Sequence, residues 1–277
     1  MKKKDASAVE TLLRSHEPWC MNACNRYLKR ASEKDNVWLV KNRAGIITAL
    51  MIRYNKSLLP VLDTDAQRAL EEPVPPPDFL RGFFGVFPVH SLQGRAQDMA
   101  IMETALEKIG LYAEEKIDYV LMCIDRAPSD FYSPCAGVVF RKPNNADKDA
   151  LAALQAAYEQ EEVMPSASEF SAAASRLNTE RIFAKEQIYA AEIDGRLIGK
   201  INTNAATFTR YQVGGVYVLP EYRGRGIARR MAGEFITELS AQGRGISLFV
   251  KKSNTAARNV YLSIGFEIFG DYRISYY

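Results

Sequence analysis

The sequence has few of the residues that build metal centres. Its 277 residues include only two histidines and four cysteines. Cys20, Cys24, Cys123 and Cys135 lack the paired C-x-x-C spacing of a zinc site. We therefore expect no bound metal, and we interpret the cysteines as free thiols in a reducing compartment. Two histidines are also too few for a zinc cluster, and we interpret both as structural.

A strong charge of one sign and a long apolar run are also missing. Thirty-six basic residues against 33 acidic ones leave a formal net charge of +3, which is far below the basic excess of a dedicated nucleic-acid binder. The longest apolar run, residues 44–52, is too short for a transmembrane helix. The basic start of the chain is not followed by the apolar segment of a secretory signal. These absences predict a cytoplasmic protein without a nucleic-acid or membrane partner.

Length and turn residues predict two domains. A chain of 277 residues is long enough for two domains. Between residues 126 and 137, prolines and a glycine interrupt the periodic segments. We expect a first domain over residues 1–130 and a second over residues 136–277. In the second, Asp194-Gly195 is a hairpin turn signal, and an amphipathic helix begins at Ile227.

The first half repeats this order of elements more weakly. Residues 36–54 resemble a hairpin, "FFGVFPVHSL" is interpreted as a strand, and a helix and a further strand follow. The repetition suggests a duplicated α/β unit. At the position that corresponds to the turn described next, the first half has a single glycine, Gly94.

A turn rich in glycine and arginine joins a strand to the helix at Ile227. Gly224 and Gly226 permit positive φ, so that successive backbone N–H groups can converge on one anion. The helix start adds unpaired amides and the positive end of its dipole, and a pyrophosphate suits such a corner. A P-loop is excluded because no lysine-serine or lysine-threonine pair follows, and the dinucleotide fingerprint fails at Arg229. A solvated helix start remains the alternative interpretation of this turn alone.

A second group of residues follows in "NTAARNVYLSIGF". Asn254, Ala257 and Tyr261 are three and then four residues apart, which places them on one face of a helix. Gly265 is a typical left-handed residue after a helix end. Taken alone, Tyr261 would be interpreted as a core aromatic.

Together the two motifs resemble the GNAT superfamily of N-acetyltransferases. Arg223, Gly226 and Ala228 match the cofactor signature R-x-x-G-x-[GA], and residues 254–266 match the later motif N-x-x-A-x-x-x-Y-x-x-x-G-F. The resemblance covers roughly residues 136–277. It implies an α/β (α+β) chain of two GNAT-like domains, each a mixed, mostly antiparallel twisted sheet flanked by helices. The first domain is degenerate and lacks the cofactor motifs, so we expect one acetyl-CoA per chain.

The resemblance also implies a site. Acetyl-CoA, as co-substrate, lies between the "GGVYV" and "ISLFV" strands, and Tyr261 is the catalytic residue that reaches its sulfur. The implied cofactor-binding residues form three groups. The strand residues Val216, Tyr217 and Val218 pair with pantetheine through their backbone. The turn of Arg223, Gly224, Arg225, Gly226, Ile227 and Ala228 holds the pyrophosphate, and Asn254 and Ala257 flank the cofactor.

The implied reaction is direct attack of a neutral amine on the thioester. A backbone N–H of the "VYV" strand holds the oxyanion, and the Tyr261 phenol protonates the thiolate. Many relatives carry a glutamate upstream on this strand, where this chain has Gln212, which cannot act as a base. Glu192 is a possible substitute through water, and the base is left unassigned.

Several identities stay open at this point. The acceptor is a primary amine of a small molecule or a protein, and a homodimer is possible. The first alternative is a non-catalytic acyl-CoA-binding sensor or regulatory protein. The second is a basic interaction module, which would bind polyanions in a salt-sensitive way and would not bind coenzyme A.

Overall fold

The computed structural model describes residues 3–29, 36–54, 56–63, 77–128, 132, 134–164 and 170–277. They divide into two compact units: the first runs through Leu121 and includes Phe269–Tyr277, and the second is Met122–Ile268. The predicted domain limits, 1–130 and 136–277, stay predictions. Residues 129–131 and 133 of the predicted break lie outside the described residues. None of the described helices has the length and apolar character needed to cross a membrane.

The elements follow one another in a mixed order of strands and helices. The strands are β1 (Asn36–Lys41), β2 (Ile47–Tyr54), β3 (Ser57–Leu62), β4 (Ser91–Arg95), β5 (Glu115–Ile124), β6 (Val139–Arg141), β7 (Ile188–Ile193), β8 (Arg196–Ala206), β9 (Arg210–Val218), β10 (Gly245–Lys251) and β11 (Glu267–Tyr276). The helices are α1 (Lys3–Ser15), α2 (Met21–Leu28), α3 (Pro77–Val86), α4 (Ala96–Glu107), α5 (Lys148–Tyr158), α6 (Ala172–Lys185), α7 (Ile227–Ser240) and α8 (Thr255–Ser263).

The first unit is built on the strand order β1-β2-β3-β4-β11-β5. β2 pairs antiparallel with β1 and β3, β3 pairs parallel with β4, and β11 pairs antiparallel with β4. Helices α3 and α4 cover this sheet with a core that includes Leu80, Phe83, Met99 and Met102. The last strand of the chain is therefore part of the first unit.

One predicted strand of the first half is wrong. "FFGVFPVHSL" was expected to be extended, but its first residues belong to α3, and β4 begins only at Ser91. The aromatic residues have helical spacing: Phe79 and Phe83 are stacked one turn apart at 6.0 Å, and Phe83 meets Trp38 edge-on at 4.6 Å. The helix buries aromatic rings against β1, which a local strand pattern could not indicate.

The second unit has the strand order β10-β9-β8-β7-β6. β9 and β10 are parallel, and the other neighbours are antiparallel. The predicted hairpin turn is confirmed, because Asp194 and Gly195 adopt φ of 48° and 79° between β7 and β8. α7 buries the apolar face that the sequence predicted, with Phe235 at 1% exposure. Each unit is thus a mixed, mostly antiparallel sheet with flanking helices, which confirms the predicted fold class.

Candidate functional site

The neighbouring strands β9 and β10 of the second unit are paired at one end only, and the rest of their length leaves an opening between them. The parallel pairing of β9 with β10 covers Arg210–Gln212 against Gly245–Ser247. β9 continues along β8 as far as Val218, and β10 continues to Lys251. Gly215 lies in this further part of β9 with φ of 59°, a conformation that L-residues with a side chain rarely adopt.

A buried arginine secures the paired end of the two strands. The Arg210 Nε donates to Ser247 Oγ at 2.7 Å, and its Nη1 and Nη2 donate to Asp125 Oδ1 at 2.6 Å and to the Ile246 carbonyl at 2.9 Å. Arg210 is 9% exposed. Its planar guanidinium therefore crosslinks β9 and β10 within their paired part.

A cavity of about 430 Å³ lies in this region. Its wall contains all of the predicted site residues except Arg225: Val216–Val218, Arg223, Gly224, Gly226–Ala228, Asn254, Ala257 and Tyr261. Arg225 instead donates to the Glu221 carbonyl at 3.1 Å and lies over the Tyr222 ring at 5.4 Å. Tertiary structure thus brings β9, the glycine turn and α8 to one space that has the size of a ligand site.

The glycine turn has the backbone conformation that its residues predicted. Gly224 and Gly226 adopt φ of 75° and 76°, and Gly226 is the N-cap residue of α7. A Cβ on Gly224 would meet nothing within 4 Å, so the backbone angle, and not crowding, is what favours glycine there. Within the described residues, the N–H groups of Gly224, Arg225 and Gly226 have no hydrogen-bond acceptor. A helix start with such free amides is a favourable place for an anion.

Arg223 lines the cavity, but its side chain already has protein partners. Its Nε donates to the Val218 carbonyl at 2.8 Å, which ties the turn to the end of β9. Its two terminal nitrogens donate to the two carboxylate oxygens of Glu161 at 2.7 and 2.8 Å. The Arg223 guanidinium lowers the pKa of Glu161. The backbone of this turn, more than the arginine side chain, is therefore available to an incoming phosphate.

Asn254 organises the start of α8. Its Oδ1 accepts from the Ala257 N–H at 2.9 Å, an N-cap bond that satisfies one of the free amides of the helix. Its Nδ2 donates to Glu162 Oε1 at 3.1 Å. The asparagine of the second motif thus has a local structural role and a contact inside the cavity.

Tyr261 lies two turns further along α8 and is 6% exposed. Its ring meets Phe266 edge-on at 5.6 Å. Burial raises the pKa of the Tyr261 phenol well above its ordinary value, and the neighbouring Tyr158 and Glu162 raise it further. The phenol is therefore neutral at neutral pH, and it is a weaker acid than an exposed tyrosine.

Two glutamates of the cavity wall were missed by the sequence analysis. Glu161 and Glu162 belong to a π-helical turn, Glu159–Val163, that directly follows α5. The only sequence signal was the acidic run after an alanine-rich helix, which is usually a solvated end. Sequence spacing alone could not show that this turn faces the second motif, about 100 residues away.

Glu192, the substitute base considered from the sequence, does not lie in the cavity wall, and neither does Gln212. Glu192 on β7 accepts from Arg141 Nε at 2.7 Å, and Gln212 on β9 is buried. A different titratable group lies beside the strand opening. The Nζ of Lys200 on β8 donates to the Gly215 carbonyl and to Asn202 Oδ1, both at 2.9 Å.

Comparison with known proteins identifies one family in the second half of the chain. Residues 151–266 match the model of the Acetyltransferase (GNAT) family. This stretch contains the cavity residues described above. A search of curated proteins finds no significant match.

Solved structures share the fold over nearly the whole chain. A Drosophila protein covers 100% of this chain and 97% of its own with 12% identity and a TM-score of 0.69. A GCN5-related N-acetyltransferase from Sphaerobacter thermophilus covers 99% and 93% with 20% identity and a TM-score of 0.61. A tandem GNAT protein from the clavulanic acid biosynthesis pathway covers 98% and 95% with 16% identity and a TM-score of 0.55. At these identities the likeness is one of fold.

Proposed function

We propose that this protein, whose residues 151–266 match the GNAT acetyltransferase family model, is an N-acetyltransferase that uses acetyl-CoA as its co-substrate. It moves the acetyl group to a primary amine by direct attack. The observation that carries this proposal is the meeting of the glycine turn, the far end of β9 and Tyr261 around one cavity of about 430 Å³.

Each part of the cavity wall has a chemical role in this proposal. The free amides of Gly224–Gly226 receive the pyrophosphate, because they lie at the positive end of α7. The backbone of Val216–Val218 pairs with the pantetheine arm as an added strand would. Asn254 and Ala257 flank the arm at the start of α8.

The reaction needs an oxyanion donor and a proton for the thiolate. As the amine nitrogen attacks the thioester carbon, a backbone N–H of β9 stabilises the negative oxygen. When the C–S bond breaks, the Tyr261 phenol donates its proton to the sulfur of coenzyme A. A tyrosine of ordinary pKa is protonated at neutral pH and can supply this proton; burial preserves that form and makes the phenol a weaker acid.

The first unit supports the proposal of one acetyl-CoA per chain. Its β4 runs directly into α4, with Arg95 ending the strand and Ala96 starting the helix. A Cβ on Gly94 would lie 3.2 Å from the Pro60 carbonyl, so this glycine serves close strand packing. No two-glycine turn with free amides stands between these two elements.

We propose that the protein acts in the cytoplasm, on a small-molecule or protein amine, as a possible homodimer.

Titration with acetyl-CoA and thiol release with an amine panel test the proposal. Tyr261→Phe should lower kcat by about 100-fold, since general acids contribute roughly 10²–10⁴-fold, while the Kd for acetyl-CoA stays within a few-fold of wild type. Tyr189→Phe, which removes a phenol outside the cavity wall, is the matched control. A protein that binds acetyl-CoA but releases no thiol with any amine would be the sensor instead. Absence of acetyl-CoA binding would refute both.

A further inference from the structure

The cavity wall contains two carboxylates that were not named as bases from the sequence. Among the described residues, Glu161 and Glu162 are the carboxylates that line the cavity. Building on the proposed function, we propose that Glu162 binds the acceptor amine as an ammonium ion and takes its proton. The acceptor is then a cationic amine, and Glu162 is a catalytic residue.

The partners of the two glutamates separate their roles. Glu161 is exposed and receives two charge-assisted hydrogen bonds from Arg223, which lower its pKa and make it a weak base. Glu162 is half-buried, and in the described part of the chain it accepts a hydrogen bond only from the neutral amide of Asn254. In the same described part of the chain, its other carboxylate oxygen accepts no hydrogen bond.

Glu162 also lies near the phenol that serves the leaving group. The charge of its carboxylate raises the pKa of Tyr261 on α8 and of Tyr158 at the end of α5. Arg223 faces it from the glycine turn, and Glu159 and Glu161 share its own segment. The carboxylate therefore shares one cavity wall with the predicted cofactor turn and with the Tyr261 phenol, and it interacts electrostatically with Arg223 and Tyr261.

The proposed proton transfers balance over one turnover. An N–H bond of the ammonium breaks, and its proton forms an O–H bond on Glu162. The neutral amine attacks the thioester carbon, the C–S bond breaks, and the thiolate takes the Tyr261 proton. The acylated nitrogen returns one proton to the Tyr261 phenolate, and Glu162 releases its own to solvent. The sum is one amide, one free thiol and one proton from an ammonium ion and a thioester.

Two small amines of different charge test the assignment. Ethylamine is an ammonium ion at neutral pH and needs a base, whereas methoxyamine is neutral and does not. Thiol release from saturating acetyl-CoA is measured with each amine for wild type, Glu162→Gln and Glu161→Gln. The ratio of the ethylamine rate to the methoxyamine rate should fall at least about ten-fold in Glu162→Gln. In Glu161→Gln the ratio should match wild type, even where the absolute rates change.

The remaining outcomes separate this assignment from the proposed function. An unchanged ratio in Glu162→Gln, with acetyl-CoA bound as in wild type, overturns the role of Glu162 alone. The role of Glu162 is also overturned if the wild-type protein acylates methoxyamine but not ethylamine, because a working base would remove the proton of the ethylammonium ion. If wild type binds acetyl-CoA and acylates neither amine, the proposed transferase activity fails together with the assignment.

Discussion

Replacing the buried Lys200 by methionine should change how the stability of the protein depends on pH. Lys200 is 3% exposed, and its Nζ donates to Asn202 Oδ1 and to the Gly215 carbonyl. Burial lowers its pKa from 10.5 to about 7. Lys200→Met keeps the length of the side chain and removes the titrating group. It leaves two acceptors without a donor, at a cost that does not depend on pH.

The direction in which stability changes with pH follows from the protons that the folded and unfolded states bind. Between about pH 7 and the ordinary lysine value of 10.5, the unfolded chain holds a proton that the folded protein has lost. Stability therefore rises with pH across this window, and below it both states are protonated and the cost of burying the charge stays constant. Over the whole window the effect is about 5 kcal/mol. About 2 kcal/mol of it falls between about pH 7 and about pH 9.

Urea unfolding followed by circular dichroism measures this effect. The free energy of unfolding of wild type, minus that of Lys200→Met, should increase by about 2 kcal/mol from about pH 7 to about pH 9. Lys148→Met, which replaces an exposed lysine of the same unit by the same residue, is the control. A flat difference for Lys200→Met would show that the buried amine does not titrate in this range, and the reasoning would be refuted.

Two further substitutions test the turn and the start of α8. Gly226→Ala forces a side chain into φ of 76° and should lower the free energy of unfolding by about 1–2 kcal/mol. It should also weaken the binding of acetyl-CoA in a titration. An alanine variant as stable as wild type would contradict the strain argument. Asn254→Ala removes the cap bond to the Ala257 N–H and should cost about 1 kcal/mol in urea unfolding. Asn254→Ser, which keeps a capping oxygen and adds no charge beside Glu162, should recover most of that loss, and equal losses in the two variants would rule out the cap.

Most of the local structure of the second unit was determined by the sequence. The hairpin at Asp194-Gly195, the apolar face of α7 and the positive φ of Gly224 and Gly226 are confirmed. These features depend on residues a few positions apart, so that short-range spacing and backbone preferences are enough to predict them. The residues predicted from the two motifs, apart from Arg225, line one cavity, and their roles stay predictions.

The first unit shows where local patterns were not enough. The segment that begins at Phe83 was predicted to be extended, but its first residues form the end of α3, because Phe83 stacks on Phe79 and packs against Trp38 on β1. The assignment of Phe269–Tyr277 to this unit likewise depends on pairing with β4, more than 170 residues away in the chain. Such long-range partners leave no periodic signal in the sequence.

The chemistry of the cavity divides in the same way. Sequence alone determined which turn carries free amides and which helix carries Asn254 and Tyr261, because both are properties of contiguous segments. Only the tertiary structure decided that Arg223 is engaged by Glu161 and that Glu162 meets Asn254, since these contacts join segments about 60 and 90 residues apart. Hydrogen bonds between distant segments form only after the strands have paired and the helices have packed, and that is why the acidic turn had no role before the fold was known.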